Sequence, residues 1–137
     1  MKIKLLPGAY PPVRAHPSDA GLDLKSMVTD GILPGAAKTF DTGVCLEIPE
    51  GYFGQVVSRS GLNIKYGIVV CGGTIDASYR GSIRVKLYNL SDQAYIVDKG
   101  DKIAQLVIVP CLTPELEYVD ELSETERGVN GFGSSGK

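Results

Sequence analysis

Turn-forming residues punctuate this chain every several positions, and the apolar runs between them are short and often alternating, as at Val44, Leu46 and Ile48. With 17 glycines and 8 prolines in 137 residues, the pattern predicts an all-β domain. The one helix it admits is a short one over residues 62–66, closed by Gly67 as a C-terminal stop. Residues 3–6 can start a strand and residues 19–24 lead into a short extended piece. Residues 39–48 and 52–58 read as the two strands of a hairpin across the Pro49-Glu50-Gly51 turn. Residues 103–109 form a nearly continuous apolar run stopped by Pro110, which predicts a core strand.

The stretch best suited to chemistry is residues 72–89, GGTIDASYRGSIRVKLYN. Ile83, Val85 and Leu87 fall on one face of a strand and Arg84, Lys86 and Tyr88 on the other. Ahead of it, Gly72, Gly73 and Gly81 bound a turn and permit unusual backbone angles or close approach. Asp76 and Tyr79 are therefore expected on a rigid hairpin. An Asp in a turn usually serves the backbone, so Asp76 gains meaning only in combination with other groups.

A chain of this length makes one domain, and a subunit interface can add to its core. No apolar run approaches the roughly 20 residues of a membrane span, and Pro7 and Gly8 break the N-terminal run too soon for a signal peptide. A soluble, cytoplasmic protein is expected. A net charge of −2 gives no footprint for direct nucleic-acid binding. His16 is the only histidine, so a histidine-based triad or multi-histidine metal site would hang on that residue. Cys45, Cys71 and Cys111 contain no CxxC pair, and burial as small hydrophobes is expected for them.

Ser58-Arg59-Ser60-Gly61 follows a strand and precedes the short helix, so backbone N–H groups, two hydroxyls and a guanidinium could converge there on an anion such as phosphate. From residue 115 to 126 there are six acidic side chains and no basic one. The folded domain is expected to span residues 1–120. Residues 121–137 form a C-terminal arm whose end, RGVNGFGSSGK, cannot bury enough apolar surface to order itself alone and is expected to be mobile. Arg and Phe among glycines and serines are also the ingredients of a phosphate clamp.

Five stretches in one order resemble the trimeric deoxyuridine triphosphatase (dUTP pyrophosphatase, dUTPase) family. Ala20-Gly21-Leu22-Asp23-Leu24 is similar to its first motif, residues 58–62 to its second, and residues 73–81 to its third. GDKIAQLV at residues 100–107 is similar to the fourth motif, and residues 127–136 to the glycine-rich fifth. The resemblance implies a jelly-roll-like, β-clip subunit in a homotrimer, with each active site shared between three chains. It implies hydrolysis of dUTP to dUMP and pyrophosphate, which limits uracil incorporation into DNA and supplies dUMP. Mg2+ on the triphosphate is the implied cofactor, and a water is the nucleophile at the α-phosphorus.

By that resemblance Asp76 is the general base, contributing typically 10²- to 10⁴-fold. Tyr79 packs on the deoxyribose and excludes a 2'-hydroxyl. The backbone of Gly73 and Ile75 pairs with the uracil edge. Arg59, Ser60 and Gly61 bind phosphate, and Gln105 donates an amide to it. Asp23 acts behind the site, on the hydrated metal through water or on the neighbouring arginine. Phe132 stacks on uracil, and Arg127, Gly133 and Ser134 close over the phosphates. Two positions depart from the family: Ser78 stands where many relatives carry a second acid, and Asn130 where the arm commonly has glycine. Two other functions stay open, a dCTP deaminase-like or bifunctional enzyme and a regulatory module that binds a protein partner. The absence of glutamate from residues 72–89 disfavours the deaminase.

Overall fold

The computed structural model describes residues 1–131, with eleven strands and one helix among them. Every strand pair is antiparallel. A four-stranded sheet runs in the order β2 (Gly21–Lys25), β11 (Lys102–Pro110), β6 (Tyr52–Val57), β8 (Thr74–Ile75). A three-stranded sheet holds β4 (Ala37–Asp41), β9 (Arg84–Asn89) and β7 (Ile68–Val70). Two ribbons complete the jelly-roll-like fold, β1 (Lys2–Leu5) with β5 (Val44–Glu47) and β10 (Tyr95–Val97) with β3 (Asp30–Ile32).

The inward faces form one core. Ile83, Val85 and Leu87 are buried and Arg84 and Lys86 exposed, as the alternation predicts. Leu24, Val56 and Leu106 supply the opposing layer from the four-stranded sheet. β11 is an interior strand of that sheet, with Ile103, Ala104 and Leu106 buried and its other residues half-buried or exposed. The helix α1 runs Ser60–Tyr66, starting two residues before the predicted span. Gly67 ends it in the left-handed conformation (φ 65°), its N–H donating to Asn63 O at 2.9 Å.

Three local expectations fail because pairing partners are chosen at long range. Residues 39–48 are two strands: the chain turns at Thr42 and Gly43, and Thr42 Oγ1 donates to Ile83 O at 2.8 Å. β4 then pairs with β9, while β5 pairs with β1. The turn after Ile48 exists, with Tyr52 N–H on Pro49 O at 3.2 Å, but it is a corner between sheets and joins no hairpin. Residues 72–89 likewise form no β8–β9 hairpin, since β8 pairs with β6 and β9 with β4 and β7. The cysteines are free, and only Cys45 is buried; Cys111 is half-buried and Cys71, at the end of β7, is exposed.

Polar side chains replace the ladder where strands part. Asn89 is wholly buried, and its amide donates to Ile32 O at 2.9 Å and Gln93 O at 2.7 Å while accepting from Ser91 N–H and Oγ. Deleting it strands the buried Ile32 carbonyl and frees the turn at Ser91 and Gln93, so Asn89→Ala should lower the unfolding free energy by about 2–4 kcal/mol. Urea titration checks this against Asn63→Ala on the exposed side of α1, which should stay within about 0.5 kcal/mol of the parent.

Candidate active site

At the end of β6 where the chain enters α1, a buried carboxylate gathers two cations. Asp23, 3% exposed, lies on β2 directly opposite Gln105 of β11. Its Oδ1 accepts from Arg59 Nε at 3.2 Å, and Lys102 Nζ stands 2.7 Å from its Oδ2. Arg59 also donates through Nη1 to Lys102 O at 3.1 Å, which fixes the guanidinium against β11. Gln105 pairs with Val57 on its other side, so Asp23, Gln105 and the start of α1 share one end of the sheet. Ser60 and Gly61 are exposed in the first helical turn, where N–H groups lack helical partners. The Ser58 hydroxyl is already used: it accepts from Val70 N–H at 2.8 Å and ties β7 to this corner. That bond uses the hydroxyl as an acceptor and fixes its position, leaving its O–H free to donate.

A cavity of about 380 Å³ lies against the same guanidinium, lined by Lys25, Arg59, Tyr95, Asp101 and Lys102 among others. Burial pushes the Tyr95 phenol above its ordinary range, and the nearby Asp101 carboxylate adds to this.

The second cluster lies around β8. Gly73 has φ 133°, and a Cβ there would lie 2.7 Å from Val56 Cβ and 3.0 Å from Val56 O. Only glycine permits this approach, through which Gly73 O accepts from Val56 N–H at 2.8 Å. After β8 the chain turns tightly, Tyr79 N–H donating to Asp76 O at 3.0 Å. Arg80 braces the turn by donating through Nη1 to Ala77 O at 2.5 Å and Tyr79 O at 3.0 Å. The Tyr79 ring lies over Gly81, where a Cβ would come within 2.6 Å of its Cζ, and its hydroxyl donates to Ser82 O at 3.0 Å. Asp76, Tyr79, Thr74, Ile75, Ser82 and Arg84 line a concavity of about 380 Å³.

A buried carboxylate with an arginine and a lysine, and an Asp–Tyr turn braced on glycines, suit nucleotide phosphate and sugar chemistry. The dUTPase family model matches residues 9–136. The chain belongs to the dUTPase family. The deoxyuridine 5'-triphosphate nucleotidohydrolase of Clostridium tetani is 46% identical over 140 residues, covering 100% of this chain and 97% of that protein. The solved dUTPase of Staphylococcus bacteriophage 80alpha with dUpNHpp superposes with a TM-score of 0.92 at 38% identity, covering 99% and 98% of the two chains. A mutant dUTPase from phage phi11 of S. aureus, solved for the coordination of a structural Mg(II) ion, gives 0.83 at 33% identity, covering 90% and 98%. The chain is a dUTP diphosphatase, and its reaction is the hydrolysis of dUTP.

The structure brings Asp23, Arg59, Ser60, Gly61 and Gln105 together as one group, and Gly73, Ile75, Asp76 and Tyr79 as another. Gly73, bonded to Val56 beside the Val57–Gln105 pair, lies nearer the first group, but the Asp76–Tyr79 turn does not join it. Ile75 pairs with Gly54, and β6 runs three more residues to Val57, about 10 Å at ~3.3 Å per residue, before Arg59 follows two positions later. Arg59 then points towards β2 and β11, away from β8. Arg127 lies in an exposed turn with its Nε donating to Asn130 O at 2.8 Å. Phe132, Gly133 and Ser134 lie outside the described residues.

Lys102 and Arg80 escaped the sequence reading although both sit inside the quoted motifs. Nothing in the local sequence says that Lys102 turns towards Asp23. Asp23→Ala would leave Arg59 and Lys102 without their shared anion. Each cation is about a third exposed (31% and 37% of the side chain), so the loss should be about 2–3 kcal/mol, below that of a fully buried pair. Denaturant titration of Asp23→Ala should show it.

Proposed function

We propose that Asp76 orients and deprotonates the water that attacks the α-phosphorus of dUTP, and that each site is completed by residues from other copies of the chain in a homotrimer. The observation that carries this is the separation of the two clusters along β6. A base for attack at phosphorus must stand one water away from the phosphates, while Arg59 and Gln105 lie at the far end of the sheet from Asp76. A second copy can present its Arg59 end to this Asp76, and symmetry then repeats the arrangement.

As the water oxygen bonds to the α-phosphorus, its proton passes to Asp76 and the bond from that phosphorus to the bridging oxygen breaks, releasing pyrophosphate. Arg59, the Ser60 and Gly61 N–H groups and the Gln105 amide face the charge that gathers on the leaving phosphates. Uracil is read by the β8 backbone around Gly73 and Ile75. Since β8 is an edge strand paired only with β6, its outward N–H and C=O groups are free to act as a fixed base-pairing partner. Cytosine presents the reversed pattern and would leave buried groups unpaired. Tyr79 excludes the ribonucleotide by occupying the space of the 2'-hydroxyl.

Mg2+ bound to the triphosphate would neutralise phosphate charge. The residues fit an ion that arrives on the nucleotide and keeps oxygen and water ligands. Among the described residues no three His, Cys, Asp or Glu side chains form a metal cage, and both Asp23 oxygens are engaged by cations, so Asp23 acts through Arg59. Residues 121–137 are proposed as an arm over the site, with Arg127, Phe132, Gly133 and Ser134 contacting nucleotide. A cytoplasmic protein is proposed; among the described residues no helix is long and apolar enough to cross a membrane.

The test is pyrophosphate release from dUTP, UTP, dCTP and dTTP with Mg2+, parent against Asp76→Asn. The parent should turn over dUTP selectively, and the variant should lose about 10²- to 10⁴-fold in kcat while still binding dUTP. A variant with parental kcat would remove Asp76 from the role of base.

A further inference from the structure

We propose that Asp41 is a positioning residue for sugar discrimination, acting on Tyr79 through Ser82; the proposal rests on the reading of Tyr79 as the element that excludes a 2'-hydroxyl. Exclusion by collision works only if the ring is held within a few tenths of an ångström. Packing alone does not hold it, since Tyr79 is 44% exposed. Two features fix the ring: the close approach over Gly81 and the hydroxyl bond to Ser82 O.

Ser82 in turn needs an anchor. It lies between the Asp76–Tyr79 turn and β9, and among the described residues it makes no backbone–backbone hydrogen bond. Its Oγ donates to Asp41 Oδ1. Asp41 is well placed to serve, because it sits at the end of β4 opposite Arg84 and its Oδ1 also accepts from Gly43 N–H at 2.9 Å. Its Oδ2 faces Arg84 Nε at 3.7 Å. One carboxylate on a neighbouring strand thereby ties down Ser82 and Arg84 directly and Tyr79 through Ser82, three of the side chains lining the Asp76 concavity. Asp41 touches no reacting atom in this scheme. Its effect is on the choice between dUTP and UTP, leaving the base and the phosphate contacts as they are.

The experiment measures kcat/KM for dUTP and for UTP in each variant and compares their ratio, which does not depend on the fraction of active protein. Asp41→Ala should lower the ratio about tenfold, the worth of one tethering hydrogen bond. Ser82→Ala, which deletes the held hydroxyl and spares the β4–β5 corner, should lower it equally. Asp41→Asn keeps an acceptor oxygen for Ser82 and Gly43 and should restore the ratio to within about twofold of the parent. Tyr79→Phe should match Asp41→Ala, and combining the two should lower the ratio no further, because both break one chain of contacts. Parental ratios in Asp41→Ala and Ser82→Ala, with a lowered one in Tyr79→Phe, would overturn the proposal and leave the gate intact. Multiplying effects in the double variant would also overturn it. A parental ratio in Tyr79→Ala would remove the gate itself and the proposal with it.

Discussion

Backbone hydrogen bonds along β6 hold Ile75 opposite Gly54, with the Asp76 turn beyond it towards one end of the strand, and Gln105 opposite Val57 at the other, and the stiffness of that ladder governs what one chain can do alone. A strand cannot shorten, so the Asp76 turn and the Arg59 corner keep their distance whatever the side chains do. Each half is internally tight. Asp23 is held by Arg59 and Lys102, and the Asp76 turn is braced by Arg80. In the proposed mechanism dUTP hydrolysis uses both halves, and association of copies is the physical route to bringing them together. The proposed sharing of each site between copies rests on where the strands of the sheet put the two motifs.

Much of the fold depends on single polar side chains at places where strands leave one sheet for another. Thr42 and Asp41 hold the β4–β5 corner, Ser58 ties β7 to the end of β6, and Asn89 joins β9 to β3. At each corner a side chain supplies the partner that the backbone ladder cannot, which keeps buried N–H and C=O groups paired. Because corners are also where loops project, these groups lie close to the functional clusters. Ser58 precedes Arg59, and Asp41 holds Ser82, whose carbonyl accepts from the Tyr79 hydroxyl.

Local chemistry was legible in the sequence. The alternation at Ile83, Val85 and Leu87, the stop at Gly67 and the glycines around Asp76 each follow from nearest-neighbour physics, and the structure contains all of them. Pairing was not legible, because a turn such as Pro49-Glu50-Gly51 looks the same whether its flanking strands pair with each other or diverge into separate sheets. Cys71 belongs in the core by residue type, yet it follows β7 on the solvent side. For Asp23 the family resemblance offers two partners, the hydrated metal or an arginine, and the structure pairs it with Arg59, whereas nothing local points to Lys102, which follows the bulged register of β11 against β2.

The shared site is tested most directly by mixing two inactive variants, Asp76→Asn and Arg59→Ala, unfolding them together in equal amounts and refolding them as one population. If one copy supplies the base and another the phosphate contacts, about one quarter of all sites in the randomly mixed population inherit both intact groups, and dUTP hydrolysis returns to roughly that fraction. Each variant refolded alone stays inactive. If the mixed oligomers form and no activity returns, Asp76 and Arg59 serve the same site from a single chain, and the account of the site as an assembly of copies is wrong.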